Sequence, residues 1–262
     1  MEIPFQINKF DESILGIIHK PRKNAKGNPT IIMFYGFNGE RVDNNRLSVM
    51  CGRLAEQQGV TFVRFDYRGL GVSEGEFWNT TLDTKIEDAK AVIEYIERLY
   101  NDEISITALG FSDGVRVITE ILDICPNISS VCLWSPVLFT LIDETHGKMR
   151  RKFYREPVTN QLVAPHRGLW VGQSYLRQLS AIGNEYDNII KFDKPLLAIF
   201  GGGDSTIAET YQELDKLRQA GQYNISMKMI SEADHLYSRR EWINEITNET
   251  VKWAASVSIR NS

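Results

Sequence analysis

Ile104-Ser105-Ile106-Thr107-Ala108-Leu109-Gly110-Phe111-Ser112-Asp113-Gly114-Val115-Arg116-Val117-Ile118-Thr119-Glu120-Ile121-Leu122 is the stretch that decides how this 262-residue chain is read. Its first six residues are apolar and β-branched, the composition of a buried strand. From Val115 onward the apolar residues take helical rather than alternating spacing. Between the two stands Gly110-Phe111-Ser112-Asp113-Gly114, a small-x-Ser-x-small pentapeptide. A turn that passes straight from strand to helix leaves no room for side chains at 110 and 114, and it projects the Ser112 hydroxyl from the sheet edge. Such pentapeptides arise by chance. The strand before this one and the helix after it make Ser112 a candidate nucleophile.

Outward from this turn the chain alternates. Phe5–Phe10 and Ser13–His19 read as a hairpin turning at Asp11-Glu12. Thr30–Phe34 and Val60–Tyr67 read as strands, with a helix near Asn45–Gln58 between them. A helix follows, its apolar stripe formed by Ile86, Ala89, Ile93, Ile96 and Tyr100, and either Thr81 or Thr84 caps it. Ile128–Trp134, Pro195–Phe200 and Asn224–Ile230 supply further strands. Helices are expected over Ile207–Ala220 and Glu241–Val257, the last with Trp242, Ile246, Trp253 and Val257 on one face. This pattern predicts an α/β fold with a mainly parallel sheet and helices on both faces. Residues 1–135 and 195–262 form the expected core. Residues 136–194 break the alternation and are rich in aromatic and cationic groups, including Phe139, Phe153, Tyr154, Trp170 and Tyr175. A structureless loop of that length is improbable in a compact domain, so an inserted, mostly helical lid is expected there.

Composition narrows the classes of function. A hydrophobic content of 42%, a charged content of 24% and a net charge of −4 are those of an ordinary globular protein without the electrostatic footprint of a nucleic-acid binder. No apolar run approaches the roughly 20 residues of a membrane span, and Met1-Glu2-Ile3-Pro4-Phe5 has neither region of a secretory signal. Cys51, Cys125 and Cys132 are expected to be buried reduced thiols, and a cytoplasmic location follows. Neither metal nor organic cofactor is expected: the cysteines and histidines lack ligand spacing, and the glycine loops lack a Walker lysine.

A serine hydroxyl needs a base, and the base needs an orienting acid. Of the four histidines, His19 falls in the opening hairpin, and His146 and His166 in the inserted segment. His235 follows a late strand, where a loop at the sheet edge would present it to Ser112. Asp204, after the apolar strand and Gly201-Gly202-Gly203, is the expected acid, with the capping of the next helix as its alternative role. Asp234 is too close in sequence to His235 to reach round its ring, and Asp193 lies at the wrong end of its strand. The oxyanion donors are expected to be the N–H groups of Asp113 and of Phe37, the latter in the loop Tyr35-Gly36-Phe37-Asn38-Gly39.

These residues resemble the α/β-hydrolase family, in its order of serine, acid, histidine. The chain is most similar to the branch of serine aminopeptidase-like and acyl-ester hydrolases, whose aspartate-x-arginine-glycine loop stands here as Asp66-Tyr67-Arg68-Gly69-Leu70-Gly71-Val72-Ser73-Glu74-Gly75. The resemblance covers nearly the whole chain outside the inserted segment. It implies the α/β-hydrolase fold and acyl transfer from a carboxylic ester or thioester through a Ser112 acyl-enzyme. It also implies that Asp66 and Arg68 pair with each other or with loop backbone. The branch usually has histidine-glycine where this chain has Tyr35-Gly36, and that histidine supports the loop rather than reacting.

Phe153, Tyr154 and Trp170 are the expected substrate-binding residues of the inserted segment. The cluster Lys148-Met149-Arg150-Arg151-Lys152 is either a solvated face or a contact for the phosphate of an acyl-carrier or coenzyme A thioester. The expected partner is a small-molecule acyl ester or thioester. Hydrolysis of the Ser112 acyl-enzyme by water is the expected outcome; an acyltransferase or a peptidase on the same triad and a non-catalytic ligand- or partner-binding module are the alternatives, the last because a fold does not fix a function.

Overall fold

The computed structural model describes residues 1–9, 11–101, 103–138, 152–181, 188–189, 191–221 and 223–260. Its strands are β1 (Glu2–Ile7), β2 (Ile14–His19), β3 (Pro29–Phe34), β4 (Thr61–Phe65), β5 (Ser105–Phe111), β6 (Ile128–Trp134), β7 (Tyr154–Arg155), β8 (Leu162–His166), β9 (Leu169–Gly172), β10 (Leu196–Gly201) and β11 (Ile225–Ile230). Its helices are α1 (Leu47–Gln57), α2 (Leu82–Leu99), α3 (Gly114–Ile121), α4 (Gln173–Ala181), α5 (Ala208–Ala220) and α6 (Arg240–Arg260).

Eight strands form one sheet in the order β1-β2-β4-β3-β5-β6-β10-β11. β1 and β2 are an antiparallel hairpin, β2 meets β4 antiparallel, and every pairing from β4 to β11 is parallel. Each residue of β3, β4 and β10 is buried, as in strands covered on both faces. The covering helices pack α1 against α6 and α2 against α3. Thr81 caps α2, and its partner in the reciprocal capping pair is Thr84. All three cysteines are free and buried.

The strand order places the site. The chain steps from β3 to β4 on one side, then crosses back to lay β5 on the other side of β3. Loops leaving the carboxyl ends of β3 and β5 therefore part at a switch point, where open α/β sheets form a crevice. The loop carrying Phe37 leaves β3, and Ser112 follows β5. Parallel pairing brings the ends of β10 and β11, and hence Asp204 and His235, to the same edge.

The described part of the segment between β6 and β10 holds strands as well as the expected helix. Its described residues form a three-stranded antiparallel sheet, β7-β8-β9, followed by α4. The two-residue turn Arg167-Gly168 joins β8 to β9 with φ of 48° and 84°, the left-handed pair that a tight hairpin requires. Phe139, His146 and residues 148–151 of the cationic cluster lie outside the described residues.

Candidate active site

The turn from β5 into α3 is held by backbone from two sides. Ser112 sits at φ 54°, in the left-handed region that non-glycine residues rarely adopt. Its N–H donates to the Trp134 carbonyl at 2.9 Å, and its own carbonyl accepts from Val137 N–H at 3.3 Å. The flanking glycines are required by contact: a Cβ at Gly114 would stand 2.2 Å from the Phe34 carbonyl oxygen, and one at Gly110 would stand 2.8 Å from Ile118 Cδ1.

Ser112, His235 and Asp204 form a hydrogen-bonded chain. His235 Nε2 lies 2.8 Å from Ser112 Oγ, and His235 Nδ1 lies 2.6 Å from Asp204 Oδ2. An ionised carboxylate only accepts, so Nδ1 carries the proton. In the neutral ring Nε2 is then the acceptor facing the serine. Asp204 is well placed to stay ionised. Burial alone would raise its pKa, but hydrogen bonds from His235 and Thr206 outweigh it and hold the carboxyl below its ordinary range. Thr206 donates to Asp204 Oδ1 through its N–H at 3.0 Å and its hydroxyl at 2.5 Å. Capping, the alternative role for Asp204, is therefore met as well: Oδ1 caps the short helix Ser205–Ile207 while Oδ2 serves His235.

Facing Ser112 is the loop after β3. A Cβ on Gly36 would stand 3.3 Å from Ser112 Cβ and 3.7 Å from the Asp113 nitrogen. Among the described residues, neither Phe37 N–H nor Asp113 N–H donates to a backbone acceptor, so both are available to a ligand oxygen. The Phe37 ring turns away into an aromatic cluster. It stacks on Tyr175 at 5.0 Å and meets the edges of His166 at 4.9 Å and Phe77 at 5.5 Å. The Asp113 side chain pairs with Arg116 at 2.7 Å and accepts from Tyr175 Oη at 3.4 Å.

A cleft of about 1020 Å³ opens over Ser112. Its walls include Phe37, Val137, Leu169, Leu176 and Leu179 on the apolar side and Asn38, Glu40 and Asp43 among the polar groups. Burial pushes the Asp43 carboxyl up to about 7, although hydrogen bonds from Asn44 work against the rise.

Phe153, Tyr154 and Trp170, the expected substrate-binding residues, are not among the residues that line this cleft. Tyr154 and Trp170 pack edge to face at 5.6 Å and are about two-fifths exposed, and Phe153 packs on the core. The cause is strand alternation: on β9, Leu169 turns into the cleft and Trp170 to the other face. Lys152, the described member of the cationic cluster, lies over the Tyr154 ring at 5.1 Å and outside the cleft.

Asp66 and Arg68 do not pair with each other. Asp66 binds the Arg41 side chain, Arg41 N–H at 2.6 Å and Val72 N–H at 2.9 Å, fastening the two loops beside the cleft. Arg68 Nε pairs with Asp88 at 2.6 Å and a terminal nitrogen with Glu87 at 2.9 Å. The sequence reading missed Thr206, Arg116 and Lys85. The Lys85 signal was available: it stands three residues after Leu82 and four before Ala89, on the buried stripe of α2.

No family model matches the chain, and no curated protein matches it. Solved structures do. Est1E from Butyrivibrio proteoclasticus, solved with ferulic acid bound, superposes with a TM-score of 0.76 at 23% identity over 98% of this chain and 99% of that one. A Pyrococcus furiosus esterase, Pf2001, gives 0.66 at 21% identity over 96% and 91%. An α/β serine hydrolase homologue from Coxiella burnetii gives 0.65 at 17% identity over 95% and 96%. The strand order and these likenesses together define the α/β-hydrolase fold. Among the described residues no helix is long and apolar enough to cross a membrane.

Proposed function

We propose that the protein is a serine hydrolase that cleaves a small carboxylic ester through a Ser112 acyl-enzyme. The observation that carries this reading is the chain Ser112–His235–Asp204, at 2.8 and 2.6 Å, beside two N–H groups that have no backbone partner among the described residues. His235 takes the Ser112 proton as Oγ attacks the ester carbonyl. The Phe37 and Asp113 N–H groups receive the oxygen that becomes negative, and Asp204 stabilises the imidazolium. Collapse of the tetrahedral species expels the alkoxide, which His235 protonates. Water then enters, gives its proton to His235 and releases the acid, restoring Ser112.

In this reading residues 136–194 act as a lid over a core made of residues 1–135 and 195–262. Leu169, Leu176 and Leu179 supply the acyl-binding wall. Two of the neighbours support ester chemistry, one being described as an esterase and the other as a serine hydrolase homologue. A thioester would meet the same groups in the same order, with a thiolate leaving.

The test is labelling with a fluorophosphonate probe, located by intact mass and peptide mapping, with Ser112→Ala and His235→Ala proteins alongside. Adduct at Ser112 that both substitutions abolish is the expected result. A panel of aryl esters and acyl thioesters of graded chain length then ranks the leaving groups. A folded wild type without adduct or turnover would sink the proposal and favour the non-catalytic module.

A further inference from the structure

Lysine is the least expected residue on the buried stripe of α2. Lys85 is 1% exposed, and burying an ammonium is costly unless its donors are met. Two carbonyls and two rings meet them. Nζ donates to the oxygens of Gly36 at 3.0 Å and Phe37 at 2.9 Å, and it lies 4.8 Å from the ring centre of Tyr67 and 5.3 Å from that of Tyr175. This places a fixed cation under the loop that faces Ser112.

The Gly36 carbonyl belongs to the same planar trans peptide as the Phe37 N–H, and in such a unit the two point in opposite directions. A group that holds the carbonyl on the α2 side therefore turns the N–H to the opposite side. Gly36 faces the elbow: a Cβ added to it would stand 3.3 Å from Ser112 Cβ and 3.7 Å from the Asp113 nitrogen. Hydrogen bonding at the carbonyl also polarises the amide and strengthens its N–H as a donor.

We propose that Lys85 is a positioning residue of the oxyanion hole, gripping the Gly36–Phe37 peptide from beneath and holding the Phe37 N–H toward the oxygen that becomes negative when Ser112 attacks. The catalytic consequence rests on the serine-hydrolase reading, whereas the grip itself does not.

The grip depends on charge. Burial pushes the Lys85 amine down to about 8, with Asp113 and Asp88 working against the fall. The groups facing it are Asp88 of its own helix with Arg68, Asp113 at the head of α3 with Arg116, and the phenols of Tyr67 and Tyr175. Burial holds both phenols well above their ordinary range. Lys85 therefore loses its charge before either phenol ionises as pH rises.

The test compares wild type, Lys85→Met and Lys85→Gln through two readouts. The first is the rate of fluorophosphonate labelling at Ser112, with kcat and KM on an aryl ester. The second is the pH dependence of the ¹⁵N shifts of Phe37 and Asn38, whose peptide units contain the two gripped carbonyls. Losing one oxyanion donor costs about 10²–10³ in kcat, so mispositioning it predicts a loss of about 10–100-fold in labelling rate and kcat, with KM little changed. Lys85→Gln, which keeps one neutral donor, falls between. The wild-type shifts titrate near the Lys85 value and those of Lys85→Met do not. If Lys85→Met does not fold, Lys85→Gln and the wild-type titration carry the same comparison. Wild-type rates in both variants, or shifts indifferent to the ammonium, overturn the proposal. A wild type that does not label overturns the hydrolase reading and the catalytic role with it, while the shift titration still decides whether the grip exists.

Discussion

Asp204→Asn is the substitution whose effect the geometry fixes most closely. Asp204 Oδ1 receives two donors from Thr206, at 3.0 and 2.5 Å, and Oδ2 receives one from His235 Nδ1 at 2.6 Å. Asparagine has a single acceptor oxygen. Two donors against one turn that oxygen toward Thr206, so the NH₂ group faces Nδ1. A neutral imidazole answers by making Nδ1 the acceptor, which moves its proton to Nε2, against Ser112 Oγ. In that tautomer the ring cannot take the serine proton. A tautomer error of this kind in a Ser-His-Asp site lowers kcat by about 10⁴, or about 5.5 kcal/mol at 1.36 kcal/mol per decade. The assay is kcat on an aryl ester together with the labelling rate at Ser112. A variant that keeps more than about a tenth of wild-type kcat, against the 10⁴ expected, refutes the hydrogen-bond chain as drawn. Stability supplies a second arm. The Asp204 carboxyl is held below its ordinary range, its hydrogen bonds from His235 and Thr206 outweighing the opposing effect of burial. A depressed carboxyl contributes stability that is present above its unfolded pKa, about 3.9, and is lost as pH falls through the folded value. The variant should therefore melt below wild type at neutral pH, with the gap closing in acid.

Gly114→Ala would press a methyl group to 2.2 Å from the Phe34 carbonyl oxygen, so α3 must move away from β3. Urea titration should register a loss of about 1–3 kcal/mol, and an unchanged midpoint would refute the contact. Asp43→Asn should stabilise the protein at pH 8, by up to roughly 4 kcal/mol. Its carboxyl is raised to about 7 by burial, so the folded state is penalised as pH climbs from the unfolded value toward the folded one. Melting at pH 4 and pH 8 checks the sign, since the gain should nearly vanish at the lower value. Tyr154→Ala with Trp170→Ala should leave kcat/KM within about twofold, the pair packing on each other outside the cleft. A tenfold loss on long-chain esters would return both residues to the substrate path.

Much of the candidate site was legible because parallel strands all end at one edge. Ser112 and Asp204 each follow a largely apolar strand and His235 follows the alternating strand Ile225–Ile230, and parallel strands need no knowledge of their partners to be placed with the same end at one sheet edge. Which strands are neighbours was not legible, since β3, β4 and β5 are buried along almost their whole length and show no alternation that would mark a pairing. The strands of the inserted segment were not legible for a different reason. Its short strands Leu162–His166 and Leu169–Gly172 are separated by Arg167-Gly168, a turn signal that the expectation of a mostly helical segment did not use. Trp170 was named there for its aromatic ring, and residue type alone does not say which side of a short strand faces the cleft, where Leu169 stands.

The tyrosine at position 35 and the lysine at position 85 are best understood together. A loop that must hold an N–H toward developing charge needs its carbonyls tied down on the far side, since an untied peptide unit rotates to satisfy itself with water. Tyr35 is fully buried and its hydroxyl donates to the Arg41 carbonyl at 3.4 Å, while Arg41 is itself bound to Asp66. These contacts secure the distal part of the loop and leave the Phe37 carbonyl to Lys85, while the Gly36 carbonyl accepts from Lys85 at 3.0 Å and from Gly39 N–H at 3.4 Å. An uncharged donor in place of Lys85 would be easier to bury, but it would lack the field of a cation beneath the peptide dipole. The costlier residue therefore makes sense where the peptide above it must stay polarised as well as aligned.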